Sequence, residues 1–188
     1  MISHNGYRKV ATLRNGEKIS IRFLNGRDRE SLTKLFQEAP DEEVEFCQED
    51  LKNPHVVEDW LNLENSRRMM PLVAVEMKNQ PVAALTLYRG EQAALKVGQI
   101  KTLFVFRAYQ GLGVGSLILD EILELSLQDS LLWLKAEVPM KQKHVIKAFL
   151  ARDFEIKATL EDFFISKKGV LHDVALMMRP LVKKDDDF

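Results

Sequence analysis

The chain of 188 residues is predicted to adopt an α/β (α+β) fold in which helices flank a mixed, mostly antiparallel central sheet. Two β-prone runs around Asn15-Gly16, a strong hairpin signal, open the pattern. A single strand–helix–strand crossover follows at 97–138, and two further β-prone runs surround Lys168-Gly169. Because hairpins produce antiparallel pairs and a crossover produces a parallel pair, we expect both in the sheet.

Each element is predicted from its apolar pattern and its boundary residues. β-prone runs indicate strands, and apolar residues three or four positions apart indicate helices. Asp28 is expected to cap the first helix, and Asn53-Pro54 is typical of the start of the second. Pro139 is expected to end the strand after the crossover. In chain order, the expected elements are strands at 10–13 and 19–24, helices at 28–38 and from 53, strands at 72–77, 82–88 and 97–106, a helix at 113–128, a strand at 131–138, a helix at 141–152, and strands at 154–166 and 172–179.

Length and composition favour a single domain over residues 1–182, followed by a disordered tail at 183–188. A net charge of −1 argues against a nucleic-acid partner. The one cysteine, Cys47, excludes an internal disulfide and is compatible with a reducing cytosol, so we expect a cytoplasmic protein. The sequence shows no signal-peptide pattern and no apolar run of ~20 residues, so no membrane association is expected. The four histidines lack metal-ligand spacing, and no metal is expected.

The segment Gln110-Gly111-Leu112-Gly113-Val114-Gly115-Ser116, the glycine loop, is the most informative one. A β-prone run precedes it and an amphipathic helical pattern follows, so backbone N–H groups and the positive end of a helix dipole converge there. Such a place binds phosphate. A P-loop would require a lysine after the glycines, and a dinucleotide fingerprint would require its third glycine one residue after Gly115. The structural alternative is a turn whose glycines only let the helix pack close to its strand.

This loop with its flank, from Phe104-Val105 to Gly115, resembles the acetyl-CoA motif of the GNAT N-acetyltransferases, whose signature is Q/R-x-x-G-x-G/A. Arg107-Ala108 stand where that family usually has Pro-Asp or Pro-Glu. The order of elements over roughly residues 18–181 also resembles the family. Segments 16–29 and 168–177 are similar to bacterial protein-lysine acetyltransferase domains. The resemblance implies a GNAT fold whose sheet is splayed at the strand before the glycine loop.

The resemblance also implies an enzyme, an acyltransferase that moves an acetyl group from acetyl-CoA to a primary amine by direct transfer in a ternary complex. Protein lysine is the first expected acceptor and a small amine the second, and a homodimer is compatible with the family. The Val105 N–H would polarise the thioester carbonyl, as an oxyanion hole does. The residues expected to hold acetyl-CoA are Leu103, Phe104, Val105, Gln110, Gly111, Leu112, Gly113, Val114, Gly115, Ser116 and Gln142.

The expected catalytic side chains depart from the family pattern. Many relatives have a glutamate where this chain has Gln99, which positions a water but does not keep a proton. Glu137 is the best remaining general base, with Glu76 and His144 as weaker candidates. The alternative for Glu137 is a solvated charge at a strand end. Phe149 occupies the place of a tyrosine that protonates the leaving thiolate in many members, although a thiol of pKa ~8.5 leaves without an acid.

These departures keep a second hypothesis open, a non-catalytic acyl-CoA sensor or interaction module. The acidic segment 41–50 falls where the family frames its acceptor site. A negative rim there would attract a cationic amine. The alternative for this segment is a solvated helix face and loop.

Overall fold

The structure, a computed structural model, describes residues 6–62, 68–90 and 96–181. The strands are β1 (Arg8–Thr12), β2 (Lys18–Phe23), β3 (Met69–Glu76), β4 (Pro81–Arg89), β5 (Val97–Val105), β6 (Trp133–Pro139), β7 (Glu155–Ile165) and β8 (Leu171–Pro180). The helices are α1 (Arg29–Glu38), α2 (Asp41–Val44), α3 (His55–Leu61), α4 (Val114–Gln128) and α5 (Lys143–Leu150). Within these ranges the strands form one sheet in the order β1-β2-β3-β4-β5-β6-β8-β7.

The predicted mixed sheet is confirmed. β5 and β6 are parallel because α4 carries the chain back across the sheet between them, and every other neighbouring pair is antiparallel. β3 and β4 lie near its centre and are buried on both faces, which explains their nearly continuous apolar sequences. The single domain over 1–182 stays a prediction, and the tail at 183–188 lies outside the described residues.

The structure contains one helix that the sequence does not predict, and the side chain of Asp28 has a different role from the expected one. α2 forms inside the acidic segment, where the sequence predicts no helix. Asp28 occupies the N-cap position of α1, as predicted, but its side chain makes no capping hydrogen bond in that helix. Its carboxylate accepts instead from the Asn25 N–H at 3.0 Å and makes a two-point contact with the Arg22 guanidinium at 2.7 and 2.8 Å. This paired geometry satisfies a carboxylate that is only 2% exposed.

Two hydrophobic clusters pack on opposite faces of the sheet. On one face α4 and α5 cover the strands through residues such as Ile118 and Phe149. On the other face α1 and α3 pack through Phe36 and Trp60 against Phe104 of β5. Phe149 is a core residue, since its side chain is 1% exposed. None of the described helices has both the length and the apolar composition needed to cross a bilayer.

β5 and β6 separate part-way along their length. Their pairing covers 97–100 of β5 and 133–136 of β6, whereas β5 continues to Val105 and β6 to Pro139. The pairing register between β4 and β5 shifts between Thr86 and Leu87, so Lys101 of β5 has no paired residue on β4. The strands diverge from Lys101 onward, and we call the space between 101–105 and 137–139 the splay gap. The splayed sheet implied by the resemblance is thereby confirmed.

Candidate active site

A cleft of about 580 Å³ is bordered by 103–105 of β5, the glycine loop and the start of α5, and we call it the coenzyme cleft. Every residue that the sequence analysis expects to hold acetyl-CoA lines it, except Leu112. The Leu112 side chain packs against the main core, and its carbonyl accepts from the Arg14 N–H at 3.2 Å. The chain therefore brings β5, the loop and Gln142 of the α5 start together around one space.

The glycine loop presents free backbone N–H groups to the coenzyme cleft. In the described parts of the chain, the amides of residues 111–116 have no hydrogen-bond partner, and α4 has no side-chain cap. The first bond in α4 runs from the Leu117 N–H to the Gly113 carbonyl at 3.1 Å. Free amides at the positive end of the α4 dipole are the arrangement that the sequence analysis expects for a phosphate site. The Gln110 amide does not contribute, because it donates to the Arg107 carbonyl at 3.2 Å.

A physical reason explains why each of these three loop positions is occupied by glycine. Gly111 has φ +75° and Gly113 has φ +93°, a region that residues with a Cβ rarely adopt. At Gly115 a Cβ would lie 3.3 Å from Cγ2 of Val105, so glycine lets α4 approach β5 closely. The glycines therefore serve both the left-handed turns of the loop and the close packing of α4.

Beyond Ile100, the edge of β5 that faces the splay gap has no strand paired with it among the described strands. The Phe106 N–H, directly after β5, donates to the Val82 carbonyl of β4 at 3.1 Å. Because backbone groups alternate in direction along a strand, the Val105 N–H points away from β4 and toward the gap. The Val105 carbonyl on that edge accepts from Nε2 of Gln110 at 2.9 Å. β5 thus offers a hydrogen-bonding edge to an extended ligand.

Glu137 lies at the splay gap, and its side chain is 22% exposed. Its Oε1 is 3.3 Å from Nζ of Lys135, and its backbone carbonyl accepts from Nε2 of Gln48 at 2.9 Å. Leu103 and Gln142 line both the gap and the coenzyme cleft, so the two spaces adjoin. The structure therefore brings Glu137 close to the β5 edge.

The other candidates for proton transfer lie in different surroundings. Gln99 lines neither space and faces a separate cleft. Glu76 accepts from the hydroxyl of Tyr109 at 2.9 Å, and burial together with this bond raises the pKa of Tyr109 to about 12. His144 is exposed at the rim of the coenzyme cleft. In the described ranges, no group of three or more metal-ligating side chains is present.

Comparison with protein families decides the classification. The model described as "Acetyltransferase (GNAT) family" matches residues 29–154, more than half of the chain. The chain belongs to the GNAT acetyltransferase family. A comparison with curated proteins finds no match.

Solved structures share the GNAT fold of this chain at low sequence identity. The GNAT domain of PAT from S. lividans aligns with a TM-score of 0.76 and 18% identity over 95% of this chain and 99% of that one. YncA from Salmonella typhimurium, solved with its cofactor acetyl-CoA, aligns at 0.75 and 16% over 90% and 98%. Spermidine N-acetyltransferase from Vibrio cholerae, solved with CoA and spermine, aligns at 0.74 and 14% over 87% and 95%.

This GNAT chain has a cation at its glycine loop that the sequence analysis misses. Arg14, in the turn between β1 and β2, lines the coenzyme cleft, and its Nη1 lies 3.4 Å from the Gly111 carbonyl. Nothing local in the sequence links position 14 with position 111. Only the packing of the β1–β2 hairpin against the loop reveals the contact.

Most carboxylates of the acidic segment have partners within the fold, and the negative rim considered from the sequence stays a prediction. Glu49 accepts from four donors at 2.5–3.0 Å, namely Trp60 Nε1 and the hydroxyls of Thr86, Tyr88 and Thr102. Three more carboxylates are in ion pairs, Asp41 with Lys52, Glu43 with Arg107 and Asp50 with Lys167. Four of the six acidic side chains in 41–50 are therefore partnered.

Proposed function

We propose that this GNAT chain is an acetyl-CoA-dependent N-acetyltransferase that transfers the acetyl group directly to a primary amine, a protein lysine or a small amine, in a ternary complex. One observation carries the proposal: the free amides of residues 111–116 meet the open edge of β5 in a single cleft. Free backbone amides at a helix start bind a diphosphate, and an open strand edge pairs with an extended thioester arm.

In this proposal the amides of residues 111–116 bind the diphosphate of acetyl-CoA, and the dipole of α4 favours its negative charge. Arg14 supplies a cation beside the same loop. The Ser116 hydroxyl, in the first turn of α4, is a further donor. The arm of the co-substrate follows 103–105 of β5 toward the splay gap, where the acceptor amine meets it.

The reaction forms one C–N bond and breaks one C–S bond. The unprotonated amine attacks the thioester carbonyl carbon, and the Val105 N–H donates to the carbonyl oxygen, on which negative charge develops. The C–S bond breaks and CoA leaves as a thiolate, for which a thiol pKa of ~8.5 makes an acid unnecessary. Glu137 accepts the proton from the attacking nitrogen, directly or through a water.

Direct transfer is favoured over a route through an acetylated cysteine. Cys47 borders both the coenzyme cleft and the splay gap. Burial, with the Glu49 carboxylate nearby, raises the pKa of its thiol to about 12. Because the thiolate is the nucleophilic form, such a thiol does not suit an acyl carrier at neutral pH.

The names of solved relatives are consistent with a primary amine as acceptor. One is a spermidine N-acetyltransferase from Vibrio cholerae and another a ribosomal-protein-S5-alanine acetyltransferase from Vibrio fischeri. A cytoplasmic location, expected from the free thiol of Cys47, and a homodimer stay predictions.

A non-catalytic acyl-CoA sensor or interaction module is the second candidate. The observation that favours it is that Gln99 and the buried Phe149 stand where many relatives carry proton-transfer groups. Both candidates share the coenzyme cleft, so CoA binding alone does not separate them.

The experiment that separates them combines purified protein and acetyl-CoA with lysine peptides and a panel of small amines. Free CoA is measured with a thiol reagent, and the acetylated amine is identified by its mass. The transferase proposal expects at least one acetylated product. Thermal stabilisation by CoA without transfer to any amine would favour the sensor.

A further inference from the structure

A second cleft, of about 660 Å³, opens on the sheet face opposite α4 and α5. On β6, Leu134 and Ala136 point into the core beneath those helices, so Lys135 between them points to the other face. No carboxylate lines this cleft in the ranges that the structure describes. We call it the cationic cleft, because its lining includes four basic side chains, Arg68, Arg89, Lys101 and Lys135.

Part of this positive charge has no acidic partner among the residues that the structure describes. Two of the four cations are in ion pairs, Arg89 with Asp129 and Lys135 with Glu137. Lys101 lies over the ring of Tyr88, with its Nζ 4.2 Å from the ring centroid. Neither Lys101 nor Arg68 has an ion pair with any described acidic residue. A cleft lined by charge of one sign attracts ligands of the opposite sign.

The cationic cleft adjoins the splay gap. Lys101 lines both spaces, at the point where the pairing of β5 and β6 ends. Lys135 lines the cationic cleft and contacts Glu137, which lies at the gap. An amine that reaches Glu137 from this face therefore leaves the rest of its molecule among the basic side chains.

We propose that the cationic cleft binds an anionic substituent of the acceptor, so that the acceptor is a small primary amine carrying a carboxylate or phosphate group. This inference rests on the proposed transferase function. Guanidinium and ammonium groups form charge-assisted hydrogen bonds with both anions. A polyamine, by contrast, would place like charge beside Arg68 and Lys101.

The dimensions and the remaining lining fit a small molecule. Pockets for small ligands commonly have volumes of ~300–1,000 Å³ and combine apolar surface with a few polar groups. Here Met69, Tyr88 and Met178 supply the apolar surface, and Gln99 supplies an amide on the same face as the cations. The carbon chain of an amino acid or an amino phosphate ester matches this mixture.

The test compares matched amines with the full chain and acetyl-CoA. L-glutamate is paired with its neutral diamide, and O-phosphoethanolamine with ethanolamine; spermidine represents cationic amines. kcat/KM is measured from CoA release with product masses and divided by the unprotonated fraction of each amine. We expect each anionic amine to exceed its neutral partner by about tenfold, as for one charge-assisted hydrogen bond. The advantage should shrink as salt is added.

Substitutions in the cationic cleft test whether the preference for anionic amines arises there. Lys101→Gln and Arg68→Gln are each expected to lower the anionic-to-neutral ratio of kcat/KM by about tenfold, mainly through KM of the anionic amine. Lys101→Arg keeps the charge and should retain most of the ratio. Lys34→Gln, at an exposed lysine on α1, is the matched control and should leave the ratio unchanged.

The outcomes distinguish the two proposals. Transfer to neutral amines or spermidine with equal or greater kcat/KM overturns the anionic acceptor and leaves the transferase function standing. An anionic preference that survives in both glutamine variants overturns the assignment of the cationic cleft. Binding of acetyl-CoA with transfer to lysine peptides but to no amine of the panel overturns this inference alone. Binding of acetyl-CoA without transfer to the panel or to lysine peptides overturns the transferase function and this inference with it.

Discussion

Replacement of Gly111 by alanine tests whether the glycine loop holds the coenzyme. Gly111 has φ +75°, and nothing lies within 4 Å of the position that a Cβ would occupy. Gly169, in the turn between β7 and β8, has φ +74° and equally open surroundings. The two substitutions introduce the same backbone strain without a clash, and only the first lies in the coenzyme cleft. Gly169→Ala is therefore a matched control.

The expected effects follow from the cost of a left-handed conformation. A residue with a Cβ in that region costs ~1–2 kcal/mol, so both variants should lose about that much free energy of unfolding. In Gly111→Ala the new methyl group is added to a residue that lines the coenzyme cleft, and a Cβ keeps the backbone away from the phosphate oxygens. If this removes one charge-assisted hydrogen bond to the diphosphate, worth ~1.5–3 kcal/mol, the Kd for acetyl-CoA rises roughly 10- to 150-fold.

Calorimetric titration with acetyl-CoA gives the Kd, and thermal unfolding gives the stability of each variant. We expect similar losses of stability in both variants and weaker binding in Gly111→Ala alone. A wild-type Kd in Gly111→Ala, with stability reduced as in Gly169→Ala, would refute the reasoning. The loop would then serve only the packing of α4 on β5.

Three further predictions concern single side chains. Glu137→Gln should lower kcat by ~10²-fold or more, as for the loss of a general base, with the calorimetric Kd for acetyl-CoA unchanged; an unchanged kcat would remove Glu137 from that role. Arg14→Gln should raise this Kd by up to roughly fivefold, as for an exposed ion pair, and the difference should disappear at about 1 M salt. If the Kd is the same in Arg14→Gln and in the wild type at both low and high salt, the Arg14 guanidinium does not contact the diphosphate. Burial, with Glu124 nearby, raises the pKa of Glu121 from 4.5 to about 7, so the folded state holds this proton more tightly than the unfolded state. Stability should therefore fall as pH rises from about 4.5 to about 7, and Glu121→Gln should flatten the dependence of Tm on pH in that window; a curve of unchanged shape would contradict the assignment.

Most of the fold is predictable because its elements have strong local signals. Asn15-Gly16 marks the β1–β2 hairpin, and the periodic apolar residues of α4 mark a helix between two parallel strands. α2 escapes prediction because four residues are too short to show a helical period. The contact of the Asp28 side chain escapes prediction because its partner Arg22 lies on the preceding strand, and no capping rule includes that contact.

The candidate site likewise has parts that the sequence reveals and parts that only the structure reveals. The glycine loop is visible in the sequence because its chemistry depends on adjacent backbone groups and on a strand and helix that directly flank it. Arg14 and the cationic cleft are not visible, because their residues come from strands and turns far apart in the chain. The contacts of Glu49 in the acidic segment are not visible for the same reason, since its donors lie on α3, β4 and β5.

The amino-acid sequence by itself determined the order of strands and helices, the GNAT resemblance and the anion-binding loop, because these depend on hydrophobic periodicity and backbone conformation over short stretches. Only the tertiary structure decided that β5 and β6 part at Lys101, that Glu137 borders the opening and that basic side chains lie beside it. Those features arise from strand register and from side chains that meet across the sheet, and no local pattern encodes such long-range contacts.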